Sequence, residues 1–379
     1  MVAVTGVGES AYSRRSGRSV QALAAAAGRA ALRDAGLTAE DVDGVIPLGG
    51  SLFTEDLIAA LGLPLQLTDA TPPPGGNAAV TALRLATALI EAGRATVVLV
   101  ILARNGSSAK RIDQRVGELP GPQFRRQLEH PHGWSTPAEW YAMICRRHML
   151  EYGTTKRQLA AVALAANRYA QLNPRAMRFG RPLSYEDYRR APMIAEPYQL
   201  YDCCLETDGA AAVLVTDEEH ALRAGPRAVR LLAVETARPE SPDDLTNRQD
   251  WQRVGLSHAA PAAYESAGLG PRDMDAAMVY DCFSFEVIHQ LEAAGFCPPG
   301  EGGRFVASGA LEPDGALPLN THGGLLAEGH LGGLNHVIEA VRQLRGEAGA
   351  AQLAKARHIA VTGWGDWGDG SLAILGGTR

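Results

Sequence analysis

Four stretches in the C-terminal part of the chain carry side chains that can move protons. They are Tyr280-Asp281-Cys282-Phe283, Asn320-Thr321-His322-Gly323-Gly324, Gly329-His330-Leu331-Gly332-Gly333 and Gly363-Trp364-Gly365-Asp366-Trp367-Gly368-Asp369-Gly370. Tyrosine, histidine and aspartate are the residue types of general acid–base chemistry. Glycine lets a ligand approach the backbone, whose N–H groups can bind an anionic oxygen. Any one stretch alone reads as a tight turn. Four of them between Tyr280 and Gly370, each just after an expected strand or just before an expected helix, favour a site, because ligands of open α/β sheets bind there.

Other signals are weaker. Gly6-x-Gly8-x-x-Ala11 follows the first strand like a dinucleotide fingerprint, but Ser13–Gly17 intervenes and the helix starts only near Ser19. A pyrophosphate needs the helix N-terminus directly after the strand, so these glycines read as a structural turn. Cys145, Cys203, Cys204, Cys282 and Cys297 form no Cys-x-x-Cys pair or His/Cys cluster of the zinc type. Each reads as a small buried residue. No phosphate-binding motif stands out, and surface solvation accounts for Arg125–Arg126 and Arg189–Arg190 as well as an anion site would.

The elements that must position these residues repeat. Val2–Val7 reads as a buried strand, and Ser19 caps a helix from Val20 to Ala35 that Gly36 ends. Asp43–Pro47 leads into a second strand. Ala30–Ile46 (AALRDAGLTAEDVDGVI) matches Ala262–Met278 (AAYESAGLGPRDMDAAM) without a gap at an offset of 232, with Ala35/Ala267, Gly36/Gly268, Asp41/Asp273 and Asp43/Asp275 among the coincidences. Val229–Val234 takes the part of Val2–Val7. The helix Asn77–Ala92 with the strand Thr96–Leu102 answers to the helix Gly333–Leu344 with the strand His358–Thr362. Helices alternating with buried strands predict an α/β fold with a mainly parallel or mixed sheet, built from two similar halves, 1–228 and 229–379. The intervening segment Asn105–Ala228, with an insertion over 105–200, includes the Pro- and Arg-rich Gly117–Gly133 and returns through the strand Asp208–Val215. Such a segment is expected to form a substrate cover or an oligomer contact.

The 379 residues are 46% hydrophobic and 21% charged, which is a globular composition and excludes disorder as the main theme. The net charge of −6 offers no electrostatic case for nucleic acid. Five sparse cysteines exclude a disulfide scaffold and fit a reducing compartment. The basic residues are 33 arginines and only three lysines, which with the abundant alanine and glycine suggests a GC-rich genome. The start, MVAVTGVG, lacks the basic and long apolar regions of a signal peptide, and the longest apolar run, Ala95–Ala103, is too short to span a bilayer. The expectation is a soluble cytoplasmic protein without a membrane segment.

The chain resembles the thiolase superfamily over nearly its whole length, and most of all its sterol-carrier-protein-type branch. The stretches that carry the resemblance are AALRDAGLTAEDVDGV, ALIEAGRATVVLV, DGAAAVLV, YDCFSFEVIHQLEAAGFCPPGEGG, NTHGGLLAEGH and EAVRQLRGEAG. The resemblance implies a duplicated five-layer αβαβα fold, usually dimeric. It implies coenzyme A as part of the substrate, and no bound cofactor or metal.

The departures bear on function. Active thiolases place a nucleophilic cysteine where Gly76 stands, in Pro72-Pro73-Pro74-Gly75-Gly76-Asn77, and a second cysteine about where Trp364 stands. Covalent acyl transfer needs an activated nucleophile, so ordinary thiolysis is excluded. Thiolases carry His or Asn at the place of Tyr280. A tyrosine there resembles the cysteine-less lipid-transfer-protein-type aldolases of steroid side-chain degradation, which act with a small OB-fold/zinc-ribbon partner chain. His330 resembles the thiolases, since those aldolases carry a second tyrosine at that place. The expected reaction is retro-aldol cleavage of a β-hydroxyacyl-CoA to a ketone or aldehyde and a shorter acyl-CoA. Tyr280 and His330 are the expected acid and base, in either assignment. Asp281, Asn320, His322 and Asp366 are expected to support them. Gly76, Gly323, Gly324 and Gly365 are expected to line the substrate, with Gly76 leaving room and N–H groups around Gly324 and Gly365 completing an oxyanion hole. The alternatives are a non-catalytic acyl-CoA-binding subunit of a partner enzyme, a degenerate acyltransferase, and the same chemistry run in the synthetic direction.

Overall fold

The computed structural model describes residues 1–50, 52–73, 75–109, 122–240 and 248–377. Pro74 of the proline–glycine loop, Lys110 and the first part of Gly117–Gly133 lie outside the described residues. Nine strands make the main sheet: β1 (Ala3–Glu9), β2 (Gly44–Leu48), β3 (Thr68–Asp69), β4 (Val97–Asn105), β7 (Asp208–Thr216), β8 (Val229–Ala237), β9 (Ala276–Met278), β10 (His358–Trp364) and β11 (Gly370–Gly376). A small hairpin of β5 (Met193–Ala195) and β6 (Tyr198–Gln199) stands apart. The sheet order is β3-β2-β4-β7-β1-β8-β11-β10-β9.

That order repeats about the β1–β8 joint. On one side β1 runs antiparallel to β7, β7 antiparallel to β4, and β2 parallel to β4. On the other side β8 runs antiparallel to β11, β11 antiparallel to β10, and β9 parallel to β10. The joint itself is short, with Ala3 opposite Arg230 and Val4 opposite Val229.

The coincident residues of the repeat do the same work in both copies. The helices Val20–Ala35 and Leu256–Ala267 both end on left-handed glycines, Gly36 at φ 68° and Gly268 at φ 65°. Asp41 and Asp273 each accept from a backbone N–H three residues earlier, at Thr38 (2.7 Å) and Gly270 (2.8 Å). Asp43 accepts from Thr96 N (2.9 Å) and Val97 N (2.8 Å), where β4 begins. Asp275 accepts from Arg357 N (2.8 Å) and His358 N (3.2 Å), where β10 begins. Each aspartate thus satisfies the N–H groups that a strand start leaves open.

Alternation along the strands separates the cores. Val98, Val100 and Leu102 of β4 face a central core, whereas Val97, Leu99 and Ile101 face an outer one with the helix Val20–Ala35. Ile359 and Val361 of β10 face the same central core, whereas Ala360 joins a second outer core. The helices Ala78–Glu91 and Leu334–Arg345 lie in the central core between the two halves of the sheet. Two sheet layers thus alternate with three helical layers.

One expectation changes. Gly6 and Gly8 sit inside β1 and form no turn; a Cβ on either would press on the backbone of the helix Val20–Ala35, so they serve close helix–strand packing. The helices Pro137–Tyr152 and Lys156–Leu172, although part of the segment that interrupts the first half, bury Tyr141, Ile144, Cys145, Leu159 and Val162 in the outer core of the second half.

Candidate active site

Tyr280 follows β9, at the strand end where its backbone is fixed by side chains. Val279 donates to Asn320 Oδ1 at 2.7 Å and accepts from Asn320 Nδ2 at 2.8 Å, so the asparagine amide continues the sheet where a strand is missing. Asn320 takes φ 52° to do so, a left-handed conformation that asparagine tolerates better than most residues. Tyr280 N donates to Thr362 Oγ1 at 3.1 Å and its carbonyl accepts from Gln290 Nε2 at 2.7 Å. Thr362 in turn donates to Gln290 Oε1 at 2.6 Å. The residue before the ring therefore cannot drift.

The ring is held between the two central helices. A Cβ on Gly76, just before the helix Ala78–Glu91, would come within 2.5 Å of Tyr280 Cε1 and would also strike the carbonyl of Trp364. A Cβ on Gly333, just before the helix Leu334–Arg345, would lie 3.1 Å from Tyr280 Cδ2. The expectation that Gly76 leaves room for substrate is corrected: the tyrosine ring fills that space.

Tyr280 Oη lies 3.2 Å from His330 Nε2, with the two rings edge to face at 5.9 Å. The two residues expected to carry the chemistry are thus brought together. His330 N donates to Thr207 Oγ1 at 2.9 Å, and Gly332 N donates to His330 Nδ1 at 3.3 Å. With Nδ1 turned to the Gly332 N–H, Nε2 is the ring nitrogen that faces the phenol oxygen. Tyr280 is 5% exposed, and burial first of all raises its pKa well above the ordinary phenol value. Cys282, Cys204 and Asp366 push it the same way, and Arg104 opposes them. Tyr280 is therefore a neutral phenol at rest.

The supporting residues take specific places. Asp281 accepts from Leu325 N at 2.8 Å and Leu326 N at 3.2 Å, and its carboxylate fills the space where Gly324 would carry a Cβ. The N-terminus of the helix Gly324–Ala327 is thus closed by Asp281, as anions favour helix N-termini. Gly323 N donates to Asn320 O and Gly365 N to Asp369 O, both at 2.8 Å. Of the N–H groups expected to form an oxyanion hole around Gly324 and Gly365, those of Gly323, Leu325, Leu326 and Gly365 are taken by acceptors within the fold. His322 does not reach Tyr280. It is buried, with Nε2 2.9 Å from His336 Nδ1, and burial followed by its histidine neighbour pushes its pKa well below the usual value. His336 Nε2 lies 3.1 Å from Asp281 Oδ1, but the angle between them falls short of a hydrogen bond. Asp366 is half-buried and accepts from Tyr141 Oη at 3.3 Å.

Sequence reasoning missed three residues here. His336 had a signal, since Asn335, His336, Glu339 and Gln343 share one face of their helix, and all four are buried. Tyr141 had none, because its helix reads as an ordinary amphipathic one. Arg104 lies at the end of an apolar strand, where a terminal arginine looks like solvation. The thiols offer no substitute nucleophile. All five cysteines are free, and burial pushes Cys204 and Cys297 up to about 12 and the other three also upward.

Comparison with known proteins fits this geometry. A model of the family described as thiolase C-terminal domain-like matches residues 239–377. The chain is 38% identical, over 95% of both proteins, to a 17-hydroxy-3-oxo-4-pregnene-20-carboxyl-CoA lyase of Mycobacterium tuberculosis. The chain belongs to the thiolase superfamily. A second superfamily relative, a steroid side-chain-cleaving aldolase of Thermomonospora curvata, is 35% identical over 91% of this chain and 90% of that protein. The solved Ltp2-ChsH2(DUF35) aldolase superposes with a TM-score of 0.92 at 33% identity, covering 100% of this chain and 98% of that one. An acetyl-CoA acetyltransferase from Syntrophomonas wolfei superposes with a TM-score of 0.73 at 16% identity and shows the shared thiolase fold. Within that fold, the Tyr280 ring packs against Gly76 ahead of the helix Ala78–Glu91.

Proposed function

We propose that this protein is an aldolase of the thiolase superfamily that cleaves a steroid-type β-hydroxyacyl-CoA into a ketone or aldehyde and a shorter acyl-CoA. The two relatives named as a lyase and an aldolase, alike over nearly the whole chain, support the reaction class. On the site itself the reading rests on the Tyr280–His330 pair at 3.2 Å, lodged against Gly76 where a thiolase would carry its thiol. In the forward reaction the Tyr280–His330 pair takes the β-hydroxyl proton, one member acting as base and the other as acid. The Cα–Cβ bond breaks, its electrons pass into the thioester as an enolate, and the carbonyl product leaves. The pair then returns that proton to Cα, so no external acid or base is consumed. The contact between Tyr280 Oη and His330 Nε2 lets the proton pass between them, and Asp281 and Asn320 fix the segment that carries Tyr280. No cysteine nucleophile and no resident cofactor are needed, and coenzyme A enters with the substrate.

We infer further that the chain works as a homodimer with a small OB-fold/zinc-ribbon partner, in keeping with the solved relative named as an Ltp2-ChsH2(DUF35) aldolase. The halves 1–228 and 229–379 are the two repeats in this reading. Among the described residues no helix is long and apolar enough to cross a membrane. The test incubates the chain and its partner with a steroid-type β-hydroxyacyl-CoA and follows both products by mass spectrometry. Cleavage by the wild type and its loss in Tyr280→Phe support the reading. Intact cleavage in both Tyr280→Phe and His330→Ala overturns the mechanism, and no cleavage by the wild type points to an acyl-CoA-binding subunit.

A further inference from the structure

Two stretches of the C-terminal half hold the reactive pair, one for each member. Asn320–Gly324 holds Tyr280, because the Asn320 amide brackets Val279 at 2.7 and 2.8 Å. Glu328–Gly332 carries His330. The 3.2 Å contact between Tyr280 Oη and His330 Nε2 therefore depends on how these two stretches sit against each other. The short helix Gly324–Ala327 joins them along the chain. A side chain of the inserted segment joins them across it.

That side chain is Asn173. It follows directly on the helix Lys156–Leu172, and Pro174 after it favours the helix ending there. Asn173 Nδ2 donates to the His322 carbonyl at 2.9 Å and to Glu328 Oε1 at 2.7 Å. Its Oδ1 accepts from Arg175 N at 3.1 Å, which fixes the orientation of the amide. Both amide protons and the amide oxygen are thus engaged, and the residue is buried. The helix comes this close because Gly323 has no side chain: a Cβ there would lie 2.9 Å from Ala170 Cβ. The backbone beyond Asn173 continues the grip. Met177 N donates to the Glu328 carbonyl at 3.0 Å, and Arg178 N to the Ala327 carbonyl at 3.1 Å. On its other side Glu328 Oε2 accepts from Asn335 Nδ2 at 2.9 Å. Glu328, just ahead of Gly329-His330, is thus held at once by the inserted segment and by the helix Leu334–Arg345.

We propose that Asn173 is a positioning residue for the cleavage, its amide setting the separation of the two stretches and thereby the contact between Tyr280 and His330. The inference rests on the aldolase reading and deepens it, by giving the inserted segment a part in the site. Asparagine suits the task because one planar NH2 group offers two donors, here to a backbone carbonyl on one stretch and a carboxylate on the other. An aspartate in its place can still accept from Arg175 N but has no proton for either acceptor. Removing the amide withdraws the donor that the two stretches share, and they are then free to shift. A shift of about 1 Å between reacting groups is enough to cost about 100-fold in rate.

The experiment measures kcat and KM for the full chain with its partner on a steroid-type β-hydroxyacyl-CoA. The variants are Asn173→Ala, Asn173→Asp, the paired Asn173→Asp/Glu328→Gln, and Leu159→Ala, with circular dichroism and thermal melting of each. In Asn173→Ala kcat is expected to fall about 10- to 100-fold with KM within about twofold of wild type, and Asn173→Asp is expected to fall at least as far. In the paired variant the new amide can donate to the new carboxylate, which reverses the bond between the two side chains, and about tenfold of the lost kcat is expected to return. Leu159 is buried near the opposite end of the same helix, so Leu159→Ala is expected to lower the melting temperature and leave kcat within about twofold. A kcat within about twofold of wild type in Asn173→Ala, or a loss confined to KM, overturns the proposal. So does a fall in Leu159→Ala as large as in Asn173→Ala, or no recovery in the paired variant. Should Asn173→Ala fail to fold, Asn173→Asp decides by the same criteria. Intact cleavage in both Tyr280→Phe and His330→Ala sinks the aldolase mechanism itself, so the two failures are distinguishable.

Discussion

The helices Ala78–Glu91 and Leu334–Arg345 occupy equivalent places in the two repeats and meet the same tyrosine, yet they contribute opposite things. The first is filled with Ala78, Ala79, Val80, Ala82, Leu83 and Ala86 and buries no polar side chain of its own. It offers space: Gly76 ahead of it lets the phenol ring come in. The second buries Asn335, His336, Glu339 and Gln343. Asn335 Nδ2 donates to Glu328 at 2.9 Å, Glu339 accepts from Thr321 Oγ1 at 2.6 Å, and Gln343 Nε2 donates to Thr321 Oγ1 at 2.9 Å. This polar face fastens the loop that carries Asn320 and, through Asn335, the segment that leads to His330. Duplication thus set where a site can form, and divergence between the copies made one wall permissive and the other instructive.

Four experiments press on that contrast. Removing the phenol oxygen tests whether the shared tyrosine is the working group at all. Tyr280→Phe is expected to lower the cleavage rate by about 10²- to 10⁴-fold with the fold retained, measured by product formation and circular dichroism. Filling the permissive wall comes next. Gly76→Cys introduces the thiol that the resemblance to thiolases implies there, but its Cβ collides with the ring and with the Trp364 carbonyl. Cleavage is expected to fall about 100-fold and stability by about 1–3 kcal/mol in urea melts, without gain of thiolysis. An active, stable Gly76→Cys would show that the two walls are not specialised.

The corresponding change on the other wall is expected to be milder. Gly333→Ala meets the ring at 3.1 Å and adds a side chain at φ 85°, so a loss of about 1–2 kcal/mol in thermal or urea unfolding and a roughly tenfold drop in rate are expected. The smallest effect concerns the instructive wall's buried histidines. His322 is held neutral, with its native pKa below the unfolded value of about 6.5. The unfolded chain therefore binds a proton that the native chain refuses. Its contribution is whole above pH 6.5 and is lost as pH falls below it, by up to about 1.4 kcal/mol per pH unit. His322→Asn is expected to flatten this acid limb in urea melts between pH 5 and 8, with little change at pH 8.

Much of the fold was legible because its signals are local. Ser19 accepts from Ala22 N at 3.1 Å and Gly36 closes the helix, as their residue types announce. The coincident aspartates of the repeat reappear as paired strand braces. Tyr280 and His330 were visible through their motifs. What escaped were contacts between elements far apart in the chain. Tyr141, from the inserted segment, reaches Asp366 across 225 positions. The N–H groups around Gly324 and Gly365 looked available until Asp281 was seen to take those of Leu325 and Leu326, and the Asp369 carbonyl that of Gly365.

The amino-acid sequence by itself determined the duplicated α/β plan, a matter of residue type, periodicity and spacing that a chain carries without folding. Through its resemblance to the thiolases it also pointed to Gly76 and Trp364 as the places of the reactive cysteines and to Tyr280 and His330 as the candidate pair. Only the tertiary structure decided that Gly76 yields its space to the Tyr280 ring, that Asp281 closes a helix N-terminus, and that Asn173 reaches both the His322 carbonyl and Glu328. Each depends on which surfaces the sheet order brings within a few ångströms, and close packing leaves no way to read that distance from either partner alone.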